Sequence, residues 1–217
     1  MTEVYADRRF AREGPVARPA SAKRAVDVTL ALLLLVVLSP VMLLIAVLVK
    51  AGDGGPVLFH QIRVGRHGAA ITVLKFRTMR VGAENALGAV RHLDETGDGP
   101  LFKVRDDPRV TRVGRLLRRT SLDELPQLFN VVAGSMSLVG PRPALVHEVA
   151  SYSEQERRRL LVRPGITGLW QVNGRSTLAW DDGVELDLHY VEHRSMRLDL
   201  WILLRTIPAV LLARGAY

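Results

Sequence analysis

A run of apolar residues near the amino terminus, Leu30 to Val49, restricts what this chain can form more than any other segment. Ser39 is its one polar side chain. About 20 apolar residues in a helix cross the hydrocarbon core of a bilayer, so composition alone favours a single transmembrane span. Pro40, at the centre of the run, opposes that interpretation, because it removes a backbone donor and its ring clashes with the carbonyl of Val36. The Ser39 hydroxyl can satisfy that carbonyl, and together these residues favour a sharp bend.

Basic residues flank the apolar segment on both sides. Lys23 and Arg24 precede it, and Lys50, Arg63 and Arg66 follow it. Charge therefore gives no bias towards one orientation across a membrane. A helix that enters the bilayer, bends and returns to its own leaflet agrees with both the charges and the central proline. We predict such a re-entrant helix ahead of a full span.

The charge of the chain restricts its partners. The 217 residues carry a formal net charge of +8, which indicates an acidic partner such as nucleic acid, anionic lipid or a phosphorylated substrate. No basic strand rich in aromatic residues is available to stack on bases, so we predict no nucleic-acid partner. The absence of cysteine excludes disulfides, thiolate catalysis and cysteine-ligated metals.

The remaining patterns predict an α+β fold that is mostly helical, with a small β element. Two strand-like runs flank residues 65–68, and Lys75 and Arg77 share one face of the second run because side chains alternate along a strand. Other predicted elements are a basic helix over 109–119, a solvated charged helix over 154–159, a turn over 163–168 and a helix over 184–213. Arginines alternate with apolar residues in the last helix, so core packing and an interfacial amphipathic helix are equally good interpretations.

Adjacent carboxylates at Asp123 and Glu124 are the strongest candidates for chemistry. A capping box of Ser121 with Glu124 is the ordinary structural explanation, but it would place Pro126 inside the helix, whereas proline is favoured at the first helical position. A helix that begins near Pro126 leaves both carboxylates ahead of its positive end, which together with Arg118 would hold Asp123 ionised. An ionised aspartate can attack phosphorus, and Glu124 can bind Mg²⁺ or transfer a proton.

The turn from Gly140 to Pro143 is a second candidate site. Pro141 and Pro143 restrict the backbone around Arg142, and a rigid, planar set of donors suits a phosphate or a nucleobase. An ordinary surface turn is the alternative interpretation. The other candidate ligands for a phosphorylated substrate are basic residues that are each unremarkable alone: Lys75, Arg77, Arg112, Arg118 and Arg175.

Several long motifs occur in a fixed order over roughly residues 23–207: KRAVD, the central Ser39-Pro40, GPVLFHQIRVG, LKFRTM, DPRVTRVGRLLRRTSLDELPQL, MSLVGPRP, RPGITGLWQVNGR and LDLHYVEHRSMRLDLWILLRT. Through them the chain resembles the bacterial sugar transferase family, the monotopic polyprenol-phosphate phosphoglycosyltransferases. It is similar to the short members, which consist of the catalytic domain without additional transmembrane helices.

The resemblance implies that a sugar phosphate moves from a UDP-sugar to a polyprenol phosphate (undecaprenyl phosphate) with release of UMP, as the first membrane step of glycoconjugate assembly. The aspartate that matches Asp123 is the family's nucleophile and carries the phosphosugar as an intermediate. The partner acid matches Glu124, and magnesium is required. Arg142 would belong to the nucleotide site, and the residues that match Lys75, Arg118 and Arg175 would line the phosphates.

The resemblance also implies a location and an architecture. Ser39 and Pro40 would mark the bend of the re-entrant helix, with the active site on the cytosolic leaflet of the bacterial membrane. We therefore expect a flexible basic tail at residues 1–20, a re-entrant membrane helix at 21–50 and a cytosolic catalytic domain at 51–217 that lies on the membrane face.

Two rival functions remain open at the level of sequence. A membrane-anchored basic module that binds anionic lipid or nucleic acid explains the charge and the apolar segment, although it gives no reason for carboxylates amid arginines. A phosphatase that acts through an aspartyl phosphate needs no lipid acceptor. The sequence names neither the sugar nor the pathway nor the oligomeric state.

Overall fold

The computed structural model describes residues 20–83, 85–90, 104, 106–174 and 178–211. Within these residues the fold is mostly helical with two small sheets, as predicted. The helices are α1 (Ala20–Asp53), α2 (Leu87–Val90), α3 (Arg112–Thr120), α4 (Gln127–Ala133), α5 (Val146–Ala150), α6 (Glu154–Arg157), α7 (Leu169–Asn173), α8 (Trp180–His193) and α9 (Met196–Leu211). The strands are β1 (Leu58–Val64), β2 (Ala70–Phe76), β3 (Ser137–Val139) and β4 (Gly165–Thr167). Apart from Ala20, the tail predicted at residues 1–20 lies outside the described residues.

Helix α1 contains the whole apolar segment and continues through Pro40. The Ser39 hydroxyl donates to the carbonyl oxygen of Val36 at 2.8 Å. That oxygen is the one Pro40 leaves without its helical donor, so the contact predicted for Ser39 is confirmed. The segment is one helix rather than two arms joined by a loop, and its bend and re-entrant path stay predictions. It is long and apolar enough to cross a membrane, and 11% of its most apolar stretch is buried within the protein.

The start of α1 is tied to the rest of the protein by a buried polar cluster. Asp27 accepts hydrogen bonds from Ser137 Oγ at 2.7 Å and from the Leu138 amide at 3.3 Å. Lys23 lies 3.5 Å from Asp27 and binds Asp199 of α9 at 2.8 Å. Since Asp27 is buried, its charge requires these donors and this cation. The KRAVD motif therefore joins α1 to β3 and α9.

The end of α1 packs against the same domain. Ile45 and Val49 form a small apolar core with Phe76 of β2 and Leu117 of α3. Between the two attachments, many of the large apolar side chains of the helix are exposed, including Leu33, Val36, Val37, Leu43 and Leu44. Helix α1 therefore contacts the domain at both ends and leaves an apolar central part uncovered.

The two sheets differ in the relative direction of their strands. Strands β1 and β2 form an antiparallel hairpin around residues 65–68, which confirms the two predicted strand-like runs. Strands β3 and β4 pair in parallel, so the prediction of a simple turn over 163–168 is wrong. Glycine makes this pairing possible, because a Cβ on Gly165 would lie 2.1 Å from the Gly140 nitrogen. Only a residue without a side chain allows the two backbones this approach.

The C-terminal part forms two helices where the sequence predicted one over 184–213. Helix α8 ends at His193, since Arg194 has an extended ψ of 130°. Helix α9 starts two residues later, and the Ser195 hydroxyl accepts a hydrogen bond from the Leu198 amide at 3.2 Å. Helix α9 buries Ile202 in the main apolar core, where it joins Val131 of α4, Val139 of β3 and Tyr190 of α8. Its opposite side exposes the large apolar side chains of Leu200, Trp201, Leu204 and Ile207.

Candidate functional site

Asp123 and Glu124 lie in a single 3₁₀ turn, Leu122–Glu124, between α3 and α4. The residue that ends α3, Ser121, has a left-handed backbone with φ of 55°. This conformation is uncommon outside glycine and is enriched at functional sites. The Ser121 side chain does not cap the turn, so the capping-box alternative is not realised. Helix α4 begins directly after Pro126, as predicted.

Lys75 binds one member of the carboxylate pair, Glu124, directly. Its Nζ atom lies 2.6 Å from Glu124 Oε1. Asn130 of α4 holds β2 in this place, because its side chain donates to the Thr72 carbonyl at 2.7 Å and accepts from the Leu74 amide at 3.0 Å. The sequence predicted Lys75 near the site, while the contribution of Asn130 depends on a pairing between segments that are distant along the chain.

Burial is the strongest influence on Asp123. Its exposed fraction is 9%, and this burial raises the pKa of its carboxyl to about 6. The positive charge of Lys75 opposes the increase. Glu124 raises the pKa and Arg118 lowers it, both by smaller amounts. The sequence predicted that the positive end of α4 and Arg118 hold Asp123 ionised; Arg118 does favour the ionised form, but burial outweighs it and raises the pKa. The carboxylate is mostly ionised at neutral pH and titrates close to it.

Arg118 is a second cation that acts on the aspartate. Its Nε atom donates to Thr78 Oγ1 at 2.9 Å, and its positive charge acts on Asp123. Helix α3 can approach Thr78 because its third residue is Gly114, where a Cβ would lie 2.0 Å from the Thr78 carbonyl oxygen. Arg112, another predicted ligand, is the first residue of α3 and is exposed.

The guanidinium of Arg77 is used for hydrogen bonds within the protein rather than for a ligand. Its Nη1 atom donates to Asp53 Oδ2 at 2.6 Å, and its Nε atom donates to the Pro56 carbonyl at 2.6 Å. The guanidinium is buried, and the pKa of Asp53 is held well below its usual range by the hydrogen bonds from Arg77. Arg77 thus fixes the end of α1 onto the β hairpin, and its predicted contact with substrate has no geometric support.

The turn that carries Arg142 is held from two sides. On one side, the Gly140 amide donates to the Thr167 carbonyl at 2.9 Å and the Gly165 amide donates to the Pro141 carbonyl at 2.8 Å. On the other side, Arg63 Nη1 donates to the Pro143 carbonyl at 2.9 Å. Pro141 and Pro143 therefore do more than restrict backbone dihedrals, because their carbonyl oxygens attach the turn to β4 and β1.

Glu148 fixes the guanidinium of Arg142. Both of its carboxylate oxygens accept from Arg142 Nη1 at 3.1 Å, and Oε2 also accepts from the Leu145 amide at 2.7 Å. Glu148 is fully buried, while the Arg142 side chain stays 29% exposed. Arg142 is thus aimed by a buried carboxylate and keeps part of its surface for a ligand.

A second ion pair, which is almost fully buried, lies close to this turn. Arg159 donates to Asp187 Oδ2 from Nε at 3.0 Å and from Nη2 at 2.6 Å. Its guanidinium carbon lies between 5.4 and 5.6 Å from the ring centroids of Tyr152, Trp170 and Trp180. The prediction of a solvated charged helix over 154–159 is therefore wrong at its end, because Arg159 enters the core and meets the carboxylate and aromatic faces that a buried guanidinium needs.

Arg63 joins the two halves of the site, although the sequence indicated it only as a flank of the membrane segment. Burial lowers the pKa of its guanidinium to about 10, helped by Arg142 and opposed by Glu148 and Glu124. Arg63 therefore lies within electrostatic range of both Arg142 and Glu124. Arg175 lies outside the described residues, so its predicted contact with phosphate stays a prediction.

The carboxylates suit a magnesium ion that takes further ligands from phosphate and water. Mg²⁺ is usually held by one or two carboxylates together with substrate phosphates. Asp123 and Glu124 are such a pair, and in the described residues no group of three or more histidine, cysteine or acidic side chains forms a complete site. A magnesium ion held by this pair would need further ligands from a phosphorylated substrate and water.

A model of the bacterial sugar transferase family matches residues 18–213. The exopolysaccharide production protein ExoY of Sinorhizobium fredii is 44% identical over 198 residues, which are 90% of this chain and 88% of that protein. The undecaprenyl-phosphate galactose phosphotransferase of Salmonella typhimurium is 41% identical over 90% of this chain and 41% of its own length. The UDP-glucose:undecaprenyl-phosphate glucose-1-phosphate transferase of Escherichia coli is 43% identical, also over 90% of this chain and 41% of its own length. The chain thus spans most of one relative and less than half of the other two.

Proposed function

The chain belongs to the bacterial sugar transferase family, and from this premise we propose that it transfers a sugar 1-phosphate from a UDP-sugar to undecaprenyl phosphate, with release of UMP. The names of the Salmonella and Escherichia relatives support the lipid acceptor and the hexose phosphate. The observation that carries the proposal is a buried carboxylate, Asp123, within electrostatic range of two cations, Lys75 and Arg118. This is a suitable nucleophile for a phosphorus centre surrounded by anionic oxygens.

The proposed reaction has two displacements at one phosphorus atom. A carboxylate oxygen of Asp123 attacks the phosphorus that bears the sugar, and the anhydride bond to UMP breaks with its electrons on the departing phosphate. A phosphate oxygen of the polyprenol phosphate then attacks the same phosphorus and displaces the carboxylate. The free aspartate is regenerated, and the lipid leaves as a polyprenyl diphosphosugar. A buried aspartate suits this role because few water molecules reach the acyl phosphate.

The surrounding residues would stabilise the charges of this reaction. Lys75 and Arg118 face the oxygens of the transferred phosphate, and Arg142 contacts the uridine nucleotide through the part of its guanidinium that Glu148 does not use. Fixed donors aimed at developing charge are usually the largest contribution to catalysis. Asp123 and Glu124 would hold Mg²⁺, which when bound supplies positive charge to the phosphate oxygens.

We also propose that α1 is re-entrant and that the domain lies on the cytosolic face of the membrane. The support is that both ends of the apolar segment bind one domain: Asp27 contacts β3, and Val49 packs with Phe76 and Leu117. A straight helix from residue 27 to residue 49 would be about 33 Å long, close to the hydrocarbon thickness of a bilayer. A full span would carry one end away from the domain. The exposed apolar side of α9, around Leu204, can rest on the same leaflet.

Cysteine labelling tests this topology. The parent chain has no cysteine, so Ala20→Cys and Gly52→Cys each introduce a single reactive group, and a Cβ at Gly52 meets no atom within 4 Å. We expect both positions to resist an impermeant thiol reagent in intact cells and to react after permeabilisation. Labelling of either position alone in intact cells would show a full span and would overturn the re-entrant path.

The covalent mechanism is tested by incubating the detergent-solubilised protein with UDP-glucose or UDP-galactose in the absence of lipid acceptor. We expect a burst of UMP close to one equivalent per protein and an increase in intact mass by one sugar phosphate. Addition of undecaprenyl phosphate should then discharge the adduct. Turnover with acceptor but without any adduct indicates direct transfer, while continuous phosphate release without acceptor indicates a phosphatase.

A further inference from the structure

Cations around the site are mostly matched with carboxylates. Lys75 pairs with Glu124 at 2.6 Å, and Arg142 pairs with Glu148 at 3.1 Å. Arg63 is different. In the parts of the chain that the structure describes, no carboxylate lies within ion-pair distance of its guanidinium, and its hydrogen bonds go to neutral oxygens.

Without a bound ligand, this arrangement of positive charges is unfavourable. Arg63 is mostly withdrawn from solvent, and Arg142 is near enough to lower the pKa of its guanidinium, together with the larger effect of burial. A charge that is taken out of water normally finds an opposite charge in the folded protein. An anionic ligand between Arg63 and Arg142 would supply the missing charge and relieve their mutual repulsion.

The guanidinium has donors left for such a ligand. Its Nε and Nη2 atoms donate to Gln61 Oε1 at 2.9 and 2.6 Å, and one Nη1 hydrogen is directed to the Pro143 carbonyl at 2.9 Å. An arginine carries five N–H donors, so one hydrogen remains on each terminal nitrogen. Gln61 and Pro143 hold the plane of the group, which is the pre-organisation that a bidentate contact with phosphate needs.

The position along the site indicates which anion is bound. Arg63 is hydrogen-bonded through Pro143 to the turn proposed for the nucleotide. Its strand, β1, pairs with β2, whose Lys75 binds Glu124 next to the nucleophile. In a nucleoside diphosphate sugar, the diphosphate is the group that connects the nucleoside to the reacting phosphorus. We propose that Arg63 is a further substrate-binding residue whose terminal N–H groups contact the diphosphate of the donor. The identity of this ligand rests on the proposed function, whereas the presence of an anion site rests on Arg63 and its surroundings.

A purely structural role is the competing explanation, since Arg63 also supports the Arg142 turn through Pro143. The two roles differ in what they affect. A contact with the diphosphate contributes only when phosphates are present in the ligand. A supporting contact to the turn affects every ligand that uses Arg142, including uridine without phosphate.

The test measures the dissociation constants of uridine, UDP and inorganic pyrophosphate for the full chain in detergent, in one buffer, for the parent and for Arg63→Gln. We expect the Kd of UDP and of pyrophosphate to increase at least about tenfold, the size of one lost charge-assisted contact, while the Kd of uridine stays within about twofold. The matched control is Arg66→Gln, a neighbouring exposed arginine whose Nε atom contacts the Leu161 carbonyl at 3.2 Å, and it should change none of the three.

The outcomes separate the inference from the function on which it partly depends. Equal weakening of uridine and UDP, or no weakening of UDP and pyrophosphate, overturns the role of Arg63. A parent protein that binds pyrophosphate through Arg63 but forms no adduct from any UDP-sugar retains the anion site and loses the proposed function. If Arg63→Gln does not fold, Arg63→Lys decides by the same comparison, because it keeps the charge and loses the planar pair of donors.

Discussion

Asp123→Asn should lower the rate of UMP release at least about a thousandfold, since an amide oxygen does not replace a carboxylate as a nucleophile and the covalent route is lost. The same variant should be more stable than the parent at pH 7.5. These two results have opposite signs, and a residue with a purely structural role cannot produce both. Initial rates of UMP release and the thermal unfolding midpoint are the measurements.

The stability gain follows from the pKa of Asp123. Burial raises the pKa from the ordinary value of 3.8 to about 6 in the folded protein. A carboxyl with a raised folded pKa contributes stability below its unfolded pKa and loses it as pH rises through the folded value. Above pH 6 the parent therefore holds an unfavourable buried charge that Asn lacks, which amounts to as much as about 3 kcal/mol before relaxation. At pH 4 the difference should be small.

The pH dependence of the parent gives an independent measurement of the same group. UMP release needs the ionised carboxylate, so its rate should fall as pH decreases through about 6, the pKa of Asp123. The matched control is Asp181→Asn, at the exposed start of α8, which should change neither the rate nor the acid limb. If Asp123→Asn retains activity within about tenfold of the parent, a difference of about 1.4 kcal/mol in the barrier, Asp123 is not the nucleophile.

The parts of the fold predicted from sequence were those with local signals. Ser39 bonds the carbonyl that Pro40 frees, and the hairpin of β1 and β2 follows from alternation around a glycine-containing turn. The start of α4 after Pro126 also follows from a local rule, the position of proline in the first helical turn. Each of these depends on residues a few positions apart.

The parts that could not be predicted depend on partners far apart in the chain. The sequence predicts Arg77 as a substrate ligand and Arg63 only as a basic flank of the apolar segment, yet Arg77 binds Asp53 while Arg63 donates to the neutral oxygens of Gln61 and Pro143. The burial that raises the pKa of Asp123 likewise comes from tertiary packing rather than from the residues next to it in the sequence. Local patterns give the chemical type of a side chain, and tertiary contacts decide whether its charge is neutralised or left for a ligand.

Arg159→Met should have a large effect on stability, with a loss of about 3–5 kcal/mol in the free energy of unfolding, because it leaves Asp187 buried without its cation. Both side chains are almost fully buried, and Asp187 Oδ2 accepts two hydrogen bonds from the guanidinium. Thermal or urea unfolding in detergent at pH 8 measures this loss. The double variant Arg159→Met, Asp187→Leu removes both charges and should recover most of it.

The pH dependence distinguishes an uncompensated charge from a packing defect in this variant. Burial already raises the pKa of Asp187 to about 6, although Arg159 opposes it, so removal of Arg159 should raise the pKa further. The protonated carboxyl is then favoured in the folded state, and its contribution to stability is lost as pH rises through the folded pKa. The cost of Arg159→Met should accordingly be smaller at pH 5 than at pH 8. An equal cost at both pH values, with no recovery in the double variant, would assign the effect to lost contacts with Tyr152, Trp170 and Trp180 instead.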